Sequence, residues 1–203
     1  MRTSYPGPLR HEPLALELHN TIYAVRGTVV DGLAGEEGLR SWLTAVADRL
    51  PVRARDADAS RRPEFLALRS AVREALHAAL AEDPVPAAAL EVVNHAAARA
   101  PVSPLATVWD GQLRGETRHH TADATDVALA TLAADAIEVL TGPDCGRLSA
   151  CEAPGCVLMF LRGHPRRTWC SAACGNRARQ ARHYERTRRR RKRHDVGGLD
   201  PPR

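Results

Sequence analysis

The chain has 203 residues, 44% hydrophobic but only 4% aromatic, so its core must be built from Ala, Leu and Val, a composition that leans helical. The net charge of +5 hides an asymmetry: the stretch from Arg162 to Arg193 holds 12 Arg, one Lys and one Glu, and the remainder is net acidic. No run approaches the roughly 18 apolar residues of a spanning helix, and a positive field this local suits a polyanionic partner rather than adhesion over the whole surface.

The N-terminal stretch "MRTSYPGPLRHEPLALELHN" lacks an apolar region ending in a cleavage site, so the expectation is a cytoplasmic protein without a membrane partner. Residues 1 to 12 read as a loose arm, and "LALELHNTIYAV" begins ordered structure as either a helix or an extended segment. "DGLAGEEG" reads as a loop. Leu39, Trp42, Leu43, Val46 and Leu50 then fall on one face of an amphipathic helix that Pro51 ends. The clearest helix spans "RRPEFLALRSAVREALHAALAED", with Pro63 in its first turn and Phe65, Leu68, Val72, Leu76 and Leu80 along one side. A shorter helix, "PVPAAALEVVNHAAARAP", follows between prolines. "SPLATVWDGQLRGETRHHTAD" carries Asp110-Gly111 between two short runs, a strong hairpin signal. Thr121 or Asp123 caps the last helix, "ATDVALATLAADAIEVLTG".

Four of the five cysteines form two close pairs. Cys151 and Cys156 are separated by "EAPG", and Cys170 and Cys174 by "SAA". Two such pairs joined by a modest loop suit one structural Zn²⁺ with four thiolate ligands. The Pro154-Gly155 turn curls the first pair around the ion. "VLMFL" and "RTW" are expected to pair as a hairpin, and the second pair sits at the head of a helix, in a treble-clef-like arrangement. Cys145 lies outside the pattern, and His164 is not needed to complete it.

The helix after Cys174 answers why so much charge follows a metal site. Turned by about 100° per residue, Cys174, Ala178, Ala181 and Tyr184 share one side, with Arg177 at its edge. Arg179, Arg182, His183, Arg186, Arg189, Arg190 and Arg193 share roughly the opposite side. A metal that supplies folding energy to a small module would fix this helix and present its arginine face. Neutralising several phosphates would then give salt-sensitive affinity for nucleic acid. The competing readings are a solvated charge run and a disordered tail.

"CEAPGC" followed by "WCSAACGNRARQARHY" resembles the CGNR zinc-finger family, whose motif stands here as Cys174, Gly175, Asn176 and Arg177. "LALELHNT", Leu14 to Thr21, resembles the opening signature of the ABATE domain that precedes this finger, with His19 where an apolar residue is more usual. The resemblance implies a bacterial, stress-induced transcription regulator. It implies Cys151, Cys156, Cys170 and Cys174 as zinc ligands, Gly175 as a close-packing position, and Asn176 and Arg177 as buttresses or nucleic-acid contacts. Arg166 and Arg167 in the loop between the pairs join Arg179, Arg182, His183, Arg186, Arg189 and Arg190 as candidate nucleic-acid contacts.

The expected fold is mainly α (α+β): a helical regulatory domain with one β-hairpin over residues 1–145, a finger with a basic helix over 146–193, and a flexible tail over 194–203. His19, Asn20 and Trp42 are candidates to line a ligand pocket. The competing reading puts Asn20 in a structural hydrogen bond, His19 at the surface and Trp42 in the core. No nucleophile elbow, paired-carboxylate, HExxH or P-loop motif points to an enzyme. The expected partners are DNA, with RNA as the alternative, a small-molecule effector and a second copy of the chain.

Overall fold

The structure is a computed structural model that describes residues 5–196, with side chains described through residue 188. Helix α1 (Leu14–His19) leads into a hairpin of β1 (Ile22–Val25) and β2 (Thr28–Asp31). Then come α2 (Gly35–Ala45), two 3-10 turns, α3 (Arg62–Ala81) and α4 (Ala87–Ala97). A second hairpin, β3 (Val102–Trp109) with β4 (Gln112–His119), precedes α5 (Ala124–Thr141). The short strands β5 (Leu148–Ala150) and β6 (Met159–Leu161) and the helix α6 (Ala172–Val196) complete the described chain.

The helices α1, α3, α4 and α5 enclose an aliphatic core in which Leu16, Leu18, Phe65, Leu68, Leu76, Leu129 and Leu132 are fully buried. Trp42 on α2 joins them. Pro63 lies in the first turn of α3, where its missing N–H costs nothing. Asp123 is the cap of α5, its carboxylate accepting from the Asp126 N–H at 2.8 Å; Thr121 instead bonds the Asp123 N–H. Buried charge is paired: Arg69 forks onto Asp31 at 2.5 and 2.8 Å and donates to Thr21 Oγ1 at 3.1 Å, tying α3 to the first hairpin. That fork holds the Asp31 carboxyl below its ordinary range.

Three expectations are corrected. Ahead of the finger there are two hairpins, not one: Arg26-Gly27 makes the extra turn with φ of 50° and 85°, and of "DGLAGEEG" only residues 32–34 are loop, Asp31 ending β2 and Gly35 opening α2. "VLMFL" does not pair with "RTW"; β6 pairs with β5, which lies ahead of the first cysteine, so the Cys151–Cys156 knuckle is the loop of that hairpin. The basic helix begins at Ala172 and runs through residues 194–196, which were assigned to the tail; residues 197–203 lie outside the described residues.

The finger shares its framework with the helical part. Along β6, Met159 and Leu161 belong to the helical core, whereas Phe160 belongs to the finger core, as strand alternation requires. The Asn20 side chain pairs with the Met159 backbone, donating to its carbonyl and accepting from its N–H, both at 2.9 Å. Glu12 accepts from the Leu161 N–H at 2.9 Å, and Tyr23 of β1 packs into the finger core.

Candidate metal centre and nucleic-acid interface

The β5–β6 hairpin brings Cys151 and Cys156 to its loop. The Cys151 N–H bonds the Leu158 carbonyl at 2.9 Å, and the Cys156 N–H bonds the Ala153 carbonyl at 3.0 Å around Gly155. On the other side, Ser171 caps α6, its hydroxyl accepting from the Cys174 N–H at 3.2 Å. The helix start thereby places Cys170 just outside and Cys174 inside the first turn.

All four sulfurs lie within 4.8 Å of one another. Cys156 and Cys170 are 3.9 Å apart, Cys170 and Cys174 3.5 Å, and Cys174 and Cys156 3.9 Å. A tetrahedron with Zn–S bonds of about 2.3 Å requires S···S separations of roughly 3.8 Å. The donor set therefore fits one zinc ion, and none of these thiols is in a disulfide. Electrostatics also call for a cation. Hydrogen bonding from Cys170 draws the Cys156 thiol down to about 5, while Cys170 is pushed up, first by its bond to Cys156 and then by burial. Burial raises Cys151 as well. The site cannot hold four thiolates without a metal to offset them.

The CGNR residues act on this centre. Gly175 sits against Trp169, where an added Cβ would come within 2.9 Å of the ring. Arg177 donates to Cys174 Sγ at 3.3 Å, so it steadies a ligand. Asn176 accepts from Arg179. The Arg179 and Arg182 guanidiniums lie 5.7 and 5.9 Å from the Trp169 ring centre. Trp169 is thus a platform for two arginines, a role that the sequence reading did not assign.

Arg166, Arg179, Arg182, His183 and Arg186 are exposed, and among the described residues of α6 no arginine forms an ion pair with a carboxylate. The side chains of Arg189 and Arg190 lie outside the described residues. Arg167 is a correction. It donates to the carbonyls of Trp169, Leu161 and Cys170 at 3.1, 3.2 and 3.0 Å, and lies 4.4 Å over the Phe160 ring. With Glu12 3.6 Å away, it is a brace inside the finger rather than a free cation. Tyr184, assigned to the packed side with Ala178, is 69% exposed, whereas Ala178 is buried.

The ligand pocket expected from His19, Asn20 and Trp42 is also corrected. All three are fully buried. Asn20 is used on β6, and His19 is not at the surface but contacts Asn20 at 3.1 Å and His77 at 3.4 Å. Burial, then the nearby Arg73, lowers His19 to about 3, so it is neutral at physiological pH. A cavity of about 340 Å³ opens elsewhere, between α3, α4 and α5.

Fold and site together define a helical domain joined to a four-cysteine zinc finger. The family model named ABATE, described as "Putative stress-induced transcription regulator", matches residues 12–143, and the CGNR zinc finger model matches 147–187. The first match covers more than half of the chain, which belongs to that family. No curated protein matches the chain. No helix among the described residues is long and apolar enough to cross a membrane.

Proposed function

We propose that this protein is a zinc-dependent, DNA-binding transcription regulator, a binding protein and not an enzyme, acting in the cytoplasm. The observation that carries the reading is the arginine face of α6, without a carboxylate partner among the described residues and fixed at its root by the metal centre. Zinc holds Cys174 to the knuckle, Arg177 steadies that thiolate, and Trp169 orients Arg179 and Arg182. Phosphate contacts by these arginines supply affinity, and guanidinium pairing with guanine in the major groove supplies sequence preference. The helical part supplies the input, by binding an effector or by dimerising.

RNA is the second reading, favoured by Tyr184. It stands exposed among arginines, where an unstacked base could lie on its ring. Selection from a randomised duplex pool by the zinc-loaded protein, with structured RNA as competitor at near-physiological salt, separates the two. An enriched DNA motif supports the regulator. Capture by RNA without enrichment supports the second reading.

A further inference from the structure

A cavity of about 280 Å³ opens onto the metal centre, between the N-terminal arm, β1, the cysteine knuckle and α6. Cys156 and Cys174 line it; Cys151 and Cys170 do not. Cys156 is also half-buried where the other three ligands are buried. One ligand of an otherwise closed site is therefore within reach of a small solute. Pro8 and Arg10 of the arm and Val25 of β1 form part of the wall. Tyr5 packs the arm in place: it is buried, and a Cβ added at Gly7 would come within 2.5 Å of its ring.

Charge limits what the cavity can take. A divalent ion with four thiolates is a dianion, and the guanidiniums of Arg10 and Arg177 on the wall offset it. The balance leaves no net field to draw in an anion. Arg177 is engaged on Cys174 Sγ at 3.3 Å. Arg10 Nε is buried with no hydrogen-bond partner among the described residues. An occupant that fits is small, neutral on entry, and develops negative charge beside a guanidinium once inside. Hydrogen peroxide has those properties, since breaking its O–O bond expels hydroxide.

We propose that Cys156 is an oxidation site, attacked by hydrogen peroxide through this cavity and closed to a disulfide with Cys170, so that the metal is released and α6 loses its root. A coordinating thiol is deprotonated, and cysteine oxidation follows thiolate character and exposure. The Cys156 sulfur gives an electron pair to one peroxide oxygen, the O–O bond breaks and hydroxide leaves. The Cys170 thiolate then attacks the resulting sulfenic sulfur, the S–S bond forms and a second hydroxide leaves. Two thiolates lose two electrons, the peroxide gains them, and the two hydroxides take protons from solvent. Cys170 and Cys174 both lie 3.9 Å from Cys156. Cys174 is fixed within α6 and its sulfur is held by Arg177, whereas Cys170 precedes the helix and is the freer to close to the roughly 2.05 Å of a disulfide. With two of four ligands gone, the finger loses the folding energy that the ion supplies. The inference rests on the metal centre and not on the choice of nucleic acid, and its test uses none.

The test exposes the full-length, zinc-loaded chain to hydrogen peroxide and follows zinc release with a chromogenic chelator, against a peroxide-free control. Disulfides are mapped by mass spectrometry after free thiols are alkylated. The expected result is release of one zinc per chain, several-fold faster than in the control, with a Cys156–Cys170 link as the first product. A thiol reductant with added zinc should restore the metal. Two variants that leave all four ligands in place test the route. Val25→Phe, which fills the cavity, should slow release several-fold. Tyr5→Ala, which unseats the arm, should speed it, with zinc content and circular dichroism before oxidation checked for both. Release no faster than in the control overturns the proposal. So does a first link that omits Cys156, or release at the wild-type rate from both variants.

Discussion

The molecule has two cores of different kinds. The helical core is built from Trp42, Phe65 and a set of leucines and is completed by Leu148, Met159 and Leu161 of the β5–β6 hairpin. The finger core has Tyr23, Phe160, Leu158, Ala153 and Ala178 packed against the cysteines. Modules that small rarely bury enough apolar surface to fold unaided. Packing holds the first and the metal holds the second. Strand β6 faces both, so loosening either is felt by the other.

Zinc removal is the sharpest way to break the comparison. Cys174→Ser, or chelation of the wild type, should dissolve the finger core while α3 and α5 keep their far-ultraviolet helical signal. Structural zinc is worth on the order of 10 kcal/mol in isolated fingers, so zinc content and the near-ultraviolet spectrum should change together. If helix content collapses as well, the two cores are one cooperative unit.

Asn20→Ala cuts the bridge between them. It leaves the Met159 N–H and carbonyl buried and unpaired, at a cost of about 2–5 kcal/mol. Chemical denaturation should show that loss, and competition with a chelator should show faster zinc release. Normal zinc retention would confine the role of Asn20 to the helical core.

A smaller effect distinguishes the helical core by pH. His19 has a folded-state pKa lowered to about 3, against about 6.5 unfolded. Its contribution is complete above about pH 6.5 and is lost as pH falls toward 3, because the unfolded chain takes the proton first. His19→Leu should flatten the fall in Tm on acidification over that window. An unchanged acid limb would place the pH dependence in other groups, such as Asp31 paired with Arg69.

Legibility in the sequence followed locality. The four ligands were readable because paired cysteine spacing is a local signal, and α3 to α5 because apolar periodicity, Pro63 and the Asp123 cap are local too; α2 was read too far along the chain, since it ends at Ala45 and not at Pro51. Asp110-Gly111 marked the second hairpin; Arg26-Gly27 did not mark the first, since arginine rarely takes positive φ. Three-residue strands carry no period, so the pairing of β6 with β5 across the knuckle was hidden. Arg167 looked like its neighbours in a charge run; only the fold shows it turned inward to three carbonyls. Asn20 was legible as a signature residue but not as a bridge, because its partner is 139 positions away.

The most direct test of the central claim is the salt dependence of duplex-DNA affinity for the zinc-loaded wild type and for Arg182→Ala with Arg186→Ala. The account predicts that the double variant keeps its zinc and binds on the order of tenfold more weakly. Its slope against log salt should fall by roughly 1.8, the value for two lost phosphate contacts. Unchanged affinity and slope would contradict the account and remove this face of α6 from the binding surface.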